Sequence, residues 1–255
     1  KSFITKQKNI NKFGIKTLNS NLIVKWSLDK IQKIEKEKQL DKFVCTAHGT
    51  SIALIDHNNK EILACTDYEF KFDRFFEEYK ELAPKFSESF TPFLEGGLNI
   101  GTQLYYIYKK NPNLLLNTKY ILNYPQYIAW KLTNNFSSEI SYLGCHTHLW
   151  NYKKNNLSSL VDKLEIKNKF PQIKKAWEVI GQKTIGQSNL QVINGVHDSN
   201  ASYLYFKNSE IKDFTLISTG TWYILFNQKT SLNDLDPSMD MLANIYSYRQ
   251  AGINK

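Results

Sequence analysis

An apolar run from Leu190 to Ile193 breaks at once into Asn194-Gly195-Val196-His197-Asp198-Ser199-Asn200-Ala201-Ser202. A second run, Phe214 to Ile217, breaks the same way into Ser218-Thr219-Gly220-Thr221-Trp222. Short β-branched runs that end in Gly and small hydroxyl residues read as buried strands delivering the backbone to a tight turn. Such turns let a backbone approach a phosphate or polyol closely. The first string sets one carboxylate, Asp198, at a strand-to-helix junction, and the second offers two hydroxyls about a Gly turn. Each has a plainer explanation: Asp198 as a helix N-cap, and Ser218 to Thr221 as an ordinary β-hairpin turn. Together they suggest a base beside a phosphate cradle, hence phosphoryl transfer to a hydroxyl, with Asp198 accepting the proton. His197 beside it can donate a hydrogen bond to a sugar hydroxyl, or serve as a satisfied core histidine.

The remaining chain supports an α/β protein. Asn21 to Leu40 has helical apolar spacing, and strands are expected at Phe43 to Thr46, Ile52 to Asp56 and Glu61 to Cys65. Leu98 to Lys110 reads as a helix with Leu104, Ile107 and Tyr108 inward, stopped by Pro112. Pro125 to Leu132 reads as a helix with Pro in its first turn. Leu157 to Leu164 and Ile173 to Ile180 read as further helical pieces. Gly181 to Gln187 reads as a linker, which divides the chain into 1–183 and 184–255.

Composition narrows the partners. The net charge of +9 hints at nucleic acid, yet Arg74 and Arg249 are the only arginines and the lysines are scattered. Nucleic-acid readers lean on Arg for bidentate contacts, so no nucleic-acid partner is expected. Cys45, Cys65 and Cys145 are three and widely spaced, which fits a reducing cytoplasm rather than a disulfide framework. No apolar run is long enough to span a membrane. His146 and His148, at i and i+2 on a strand, would share a face with Cys145 on the other. No carboxylate or second Cys completes a set there, so no metal site is expected.

Beyond these local readings the chain resembles the FGGY carbohydrate kinases of the actin-like (ribonuclease H-like) sugar-kinase superfamily. Gly195 to Ser202 is similar to the segment with the family's catalytic Asp, and Ser218-Thr219-Gly220-Thr221-Trp222 to its second phosphate-binding turn. Thr46-Ala47-His48-Gly49-Thr50-Ser51-Ile52-Ala53-Leu54-Ile55-Asp56 resembles the first-domain strand and turn near the sugar. Leu98 to Leu104, Tyr124 to Thr133, Ser138-Glu139 and Leu143 to Thr147 continue the match in order and spacing. The His197-Asp198 pair is similar to the rhamnulose- and fuculose-kinase branch. The resemblance implies Asp198 as general base, His197, Ser199 and Gly49 at the sugar, and Thr219, Gly220 and Thr221 at ATP, with Mg²⁺ bridging the phosphates. It further implies a sugar and ATP as small-molecule partners, with a homodimer compatible. Family members open with an Asp-x-Gly phosphate hairpin that nothing before Phe3 supplies, and they run on beyond Lys255. The expectation is therefore a nearly complete N-terminal domain (1–183) lacking that hairpin and a truncated C-terminal domain (184–255). Two functional readings follow: ATP-dependent sugar phosphorylation, or a catalytically incompetent fragment that retains at most sugar binding.

Overall fold

The computed structural model describes residues 9–11, 13–219 and 223–245. A short antiparallel pair, β1 (Asn9–Ile10) and β2 (Lys16–Thr17), precedes α1 (Ser20–Glu35), whose first turn is capped by the Asn19 side chain. The chain then runs through β3 (Lys42–Phe43), β4 (Thr46–Ala47), β5 (Ile52–Asp56) and β6 (Glu61–Leu63). Helices α2 (Phe76–Leu82), α3 (Phe86–Ser89), α4 (Ile100–Lys110) and α5 (Pro112–Leu116) lead to β7 (Thr118–Asn123) and α6 (Tyr124–Thr133). Next come α7 (Ile140–Leu143), the β8 (Trp150–Asn151) and β9 (Asn156–Leu157) pair, and α8 (Ser159–Lys163). Strands β10 (Val179–Ile185), β11 (Ser188–Ile193) and β12 (Val196–His197) feed α9 (Asp198–Lys207). The β13 (Thr215–Thr219) and β14 (Tyr223–Asn227) hairpin follows.

The core is built around β5, which lies between β6 and β7 in an antiparallel sheet. Ile52, Ala53, Leu54 and Ile55 are all fully buried, so both faces of this strand are covered and its sequence is continuously apolar rather than alternating. Each large aliphatic residue buried this way contributes on the order of 2 kcal/mol. Helices α4 and α6 supply Leu104, Ile107, Tyr127 and Trp130 to the same core. Tyr108 departs from expectation. Ile100, Leu104 and Ile107 form the buried stripe, and Tyr108, one position beyond it, is exposed and stacks on Tyr105 instead.

The expected helix at Ile173 to Ile180 and linker at Gly181 to Gln187 are corrected: Val179–Ile185 is a strand paired antiparallel with β11. It pairs with β11 alone, so its mid-strand residues are largely solvated and polar, which conceals the strand pattern. The hairpin turns at Gly186, whose φ of 58° suits a tight two-residue connection.

The second sheet brings the two halves of the sequence together. β11 runs parallel to β3, with Gln191 opposite Lys42, and β12 runs parallel to β4, with Val196 opposite Thr46 and His197 opposite Ala47. Both strands break at the same level, at Val44–Cys45 and at Asn194–Gly195. Gly195 has a φ of 86°, and a Cβ there would stand 2.6 Å from the Cys45 carbonyl oxygen. Only glycine meets both demands. Asn194, wholly buried, ties the break down. Its amide donates to the carbonyls of Ser138 (3.1 Å) and Lys174 (2.9 Å), its Oδ1 accepts from Ser137 (2.8 Å), and its carbonyl accepts from Gln126 (2.9 Å).

Glu139 caps α7, with its carboxylate accepting from the amides of Ser141 and Tyr142 and from the Ser141 hydroxyl. Burial pushes its pKa from 4.5 up to about 7, against the opposing pull of those hydrogen bonds.

Two outcomes are expected. Gly195→Ala should cost at least about 2 kcal/mol in urea unfolding, from φ strain and the clash with Cys45; an unchanged midpoint would refute the steric account. Between pH about 4.5 and about 7 the native state holds the Glu139 proton that the unfolded chain has released, so stability falls as pH rises. The loss across that window is on the order of 3 kcal/mol, and Glu139→Gln should remove this slope from the pH series.

Candidate active site

Parallel strands present ligand sites beyond their carboxyl ends, and here β4 and β12 end side by side. β4 leads into His48-Gly49-Thr50-Ser51, and β12 leads into Asp198 at the start of α9. His197, in extended backbone, is the N-cap residue, and Asp198 is the first residue of the helix. The carboxylate still serves the helix start, because its Oδ1 accepts from the Ser199 amide at 2.6 Å. Asp198 is exposed, and its Oδ2 has no hydrogen-bond partner among the described residues.

The 48–51 loop is clamped from three sides. The Tyr142 hydroxyl lies 2.9 and 3.1 Å from the carbonyl oxygens of His48 and Ser51 and accepts from the Ser51 amide at 3.1 Å. The buried Gln103 amide donates to the Thr50 carbonyl at 2.7 Å. The Gly49 carbonyl accepts from the Thr50 hydroxyl (2.7 Å) and faces His48 Nδ1 (2.8 Å). With that oxygen engaged, what Gly49 offers is room. A Cβ on it would stand 2.9 Å from His197 Nε2 and 3.0 Å from His146 Nε2.

Both imidazoles have their tautomers set from behind. His146 Nδ1 faces the Leu98 carbonyl at 2.9 Å, which can only accept, so the ring proton sits on Nδ1. His197 Nδ1 faces Asn200 Oδ1 at 2.8 Å. Asn200 spends its amide protons on Asn244 Oδ1 (2.9 Å) and the Ile245 carbonyl (2.5 Å), so Oδ1 is again an acceptor. Each Nε2 is therefore an acceptor: that of His197 lies 3.9 Å from Cys145 Sγ, and both border the space beside Gly49. His197 thus presents an acceptor where a donor is expected from sequence. Burial is the main reason both rings stay neutral: it holds His146 down to about 4, reinforced by His197, and depresses His197 against the opposing charge of Asp198. Asp198 Oδ1 is 3.6 Å from His197 Nε2.

His146-Thr147-His148 is not a strand. His146 and His148 adopt φ of 43° and 64°, and their rings part company. His148 turns into the core, accepting from the Tyr79 hydroxyl at 2.7 Å and donating to the Thr91 carbonyl at 3.1 Å. His146 joins Cys145 and His197, so Cys145 lies with His146 rather than opposite it. Asn99, whose amide holds the His146 carbonyl at 2.8 Å, is a buried positioning residue with no sequence signal beyond its place before α4.

Of the residues predicted to contact substrate, His197 and Gly49 converge beside Asp198. The Ser199 hydroxyl, half-buried, turns back to Asp198 Oδ1 at 3.4 Å. Thr219 is exposed at the end of β13, and Gly220 and Thr221 lie outside the described residues. The hairpin itself is observed: Leu216, Ile224 and Phe226 face Tyr203 of α9, while Ile217, Tyr223 and Leu225 are exposed on the other face. No helix among the described residues is long and apolar enough to cross a membrane.

Residues 211–251 match the family model for the carbohydrate kinase FGGY C-terminal domain. A search of curated proteins finds no match. Among solved structures, a carbohydrate kinase from Novosphingobium aromaticivorans superposes with a TM-score of 0.82 at 29% identity, covering 91% of this chain and 53% of that one. A ligand-bound xylulose kinase from Lactobacillus acidophilus gives 0.65 at 13% identity, covering 78% and 43%. Plasmodium falciparum glycerol kinase with ADP gives 0.62 at 12% identity, covering 78% and 44%. The chain spans about half the length of these proteins. It is an α/β protein that shares the fold of solved sugar kinases over most of its described length and carries an FGGY carbohydrate kinase C-terminal domain match at residues 211–251.

Proposed function

We propose that this chain is part of an FGGY carbohydrate kinase of the actin-like fold, and that it phosphorylates a sugar hydroxyl at the expense of ATP. The observation that carries the reading is the meeting of Asp198, His197 and Gly49 beyond the carboxyl ends of two parallel strands. Asp198 Oδ2, free of partners among the described residues, takes the proton of the attacking hydroxyl. As that O–H bond breaks, the sugar oxygen bonds to the γ-phosphorus and the bond to ADP opens in line. His197 Nε2 accepts from a second sugar hydroxyl, Gly49 leaves space for the ring, and Ser199 steadies Asp198. Thr219, with Gly220 and Thr221, contacts the nucleotide. The His197–Asp198 pair favours the rhamnulose- and fuculose-kinase branch, in the cytoplasm.

Mg²⁺, when bound, would supply neutralisation of the charge that develops on the phosphates. The groups gathered beside Asp198 do not suit it, since a thiol and two imidazoles stand where Mg²⁺ requires oxygen. A second reading, sugar binding without turnover, is supported by the thiol and imidazole donors beside Asp198, which do not suit Mg²⁺.

ADP release over a panel of ketoses, aldoses and polyols tests the proposal, with calorimetric sugar binding alongside. Turnover on one sugar is expected, and binding without turnover selects the second reading. Neither binding nor turnover on any sugar would sink both. Asp198→Asn should lower kcat by roughly a hundredfold or more while sugar affinity holds; equal turnover removes Asp198 as the base. Gly49→Ala should weaken sugar binding by roughly tenfold or more, since its methyl meets both Nε2 atoms.

A further inference from the structure

Cys145 Sγ and one ring nitrogen each of His146 and His197 lie within 4.8 Å of one another, and Sγ is 3.9 Å from His197 Nε2. We propose that these three atoms form a binding site for a thiophilic divalent cation of the Zn²⁺ class. The site shares His197 with the proposed sugar pocket, so a bound ion and a sugar hydroxyl compete for that lone pair; the inference itself rests on the donor set and its supports and is read by metal binding rather than by turnover.

Three features argue for a built site. First, each imidazole is held through Nδ1 by an acceptor behind it, the Leu98 carbonyl and Asn200 Oδ1. That is the outer-shell arrangement by which proteins orient metal-ligating histidines and fix their tautomer. Asn200 is itself locked by Asn244 and Ile245, so the support extends one layer further. Second, a carbon added to Gly49 would stand 2.9 Å from His197 Nε2 and 3.0 Å from His146 Nε2, so the glycine keeps the space beside both rings open. Third, the spacing is near what an ion needs. Bonds of about 2.0–2.1 Å to nitrogen and about 2.3 Å to sulfur place tetrahedral ligand atoms roughly 3.3–3.6 Å apart. The trio has to close by up to about 1.5 Å to meet that spacing, and the Cys145–His197 pair by only a few tenths. A fourth position falls toward Asp198, whose Oδ1 is 3.6 Å from His197 Nε2, and a carboxylate oxygen or water completes the tetrahedron.

The donor chemistry selects the ion. Two imidazoles and a thiolate suit Zn²⁺ or Co²⁺ and reject Mg²⁺ and Ca²⁺. Binding breaks the Cys145 S–H bond: the sulfur lone pair becomes the metal bond and one proton passes to buffer.

Titration of the chelator-treated full chain with Co²⁺ tests the site. One equivalent should bind, with tetrahedral ligand-field bands and a thiolate-to-cobalt charge-transfer band, and one equivalent of Zn²⁺ should displace it. Cys145→Ser should abolish the charge-transfer band, and His146→Gln should weaken Co²⁺ binding by at least tenfold. Cys45→Ser and Cys65→Ser should leave both features in place, which separates this site from the other two thiols. Far-ultraviolet circular dichroism verifies that each variant is folded. If Cys145→Ser fails to fold, alkylation of the native chain supplies the same test: Co²⁺ should protect one thiol, mapped to Cys145. Absence of a charge-transfer band in the native chain, its survival in a folded Cys145→Ser variant, or protection at another cysteine would overturn the proposal.

Discussion

The parallel pairing of residues 191–197 with 42–47, and the single glycine that interrupts it, carries the rest of the structure. Gly195 passes within contact of the Cys45 carbonyl at a backbone angle closed to other residues, so both strands break at one level and resume in step. Asn194 then secures the break through buried hydrogen bonds to Ser137, Ser138, Lys174 and Gln126, four partners from three separate segments. Unmade, any of those bonds would leave a buried polar group at a cost of about 1–3 kcal/mol. Asp198 reaches its position because the strand before it cannot slip.

The opposite wall depends on a second device. The α7 helix is short and has little stability of its own, so Glu139 caps it and Tyr142 spends its hydroxyl on the 48–51 loop. The same helix ends at Gly144 and delivers Cys145 and His146 to the site. Burial then sets the character of the chemistry: both imidazoles stay neutral and bring lone pairs, not charge, to the space beside Gly49. A pocket of acceptors favours a ligand that donates, either hydroxyl protons or the empty orbitals of a soft cation.

Local pattern failed where pairing or packing overrides it. Val179–Ile185 reads as a helix end and linker because an edge strand needs few apolar residues, and its hydrogen bonds come from β11 rather than from its own composition. The Gly186-Gln187 turn between Ile185 and Ser188 was the available signal. His146 and His148 misled differently: alternation presumes an extended backbone, and two left-handed residues in three send one ring to the core and the other to the site.

By itself the sequence determined the strand-to-helix junctions, the continuously apolar core strand Ile52–Ile55 and the glycine that makes Asp198 accessible, since these rest on local sterics and hydrophobic periodicity. Tertiary structure alone decided which atoms meet. Gly49, the Cys145–His146 pair and His197 are far apart in sequence, and the His146 tautomer is imposed by the distant Leu98 carbonyl. Asn200 lies only three residues from His197, but its oxygen is fixed as an acceptor by the distant Asn244 and Ile245. These bonds exist only once burial makes each unpaired donor and acceptor costly.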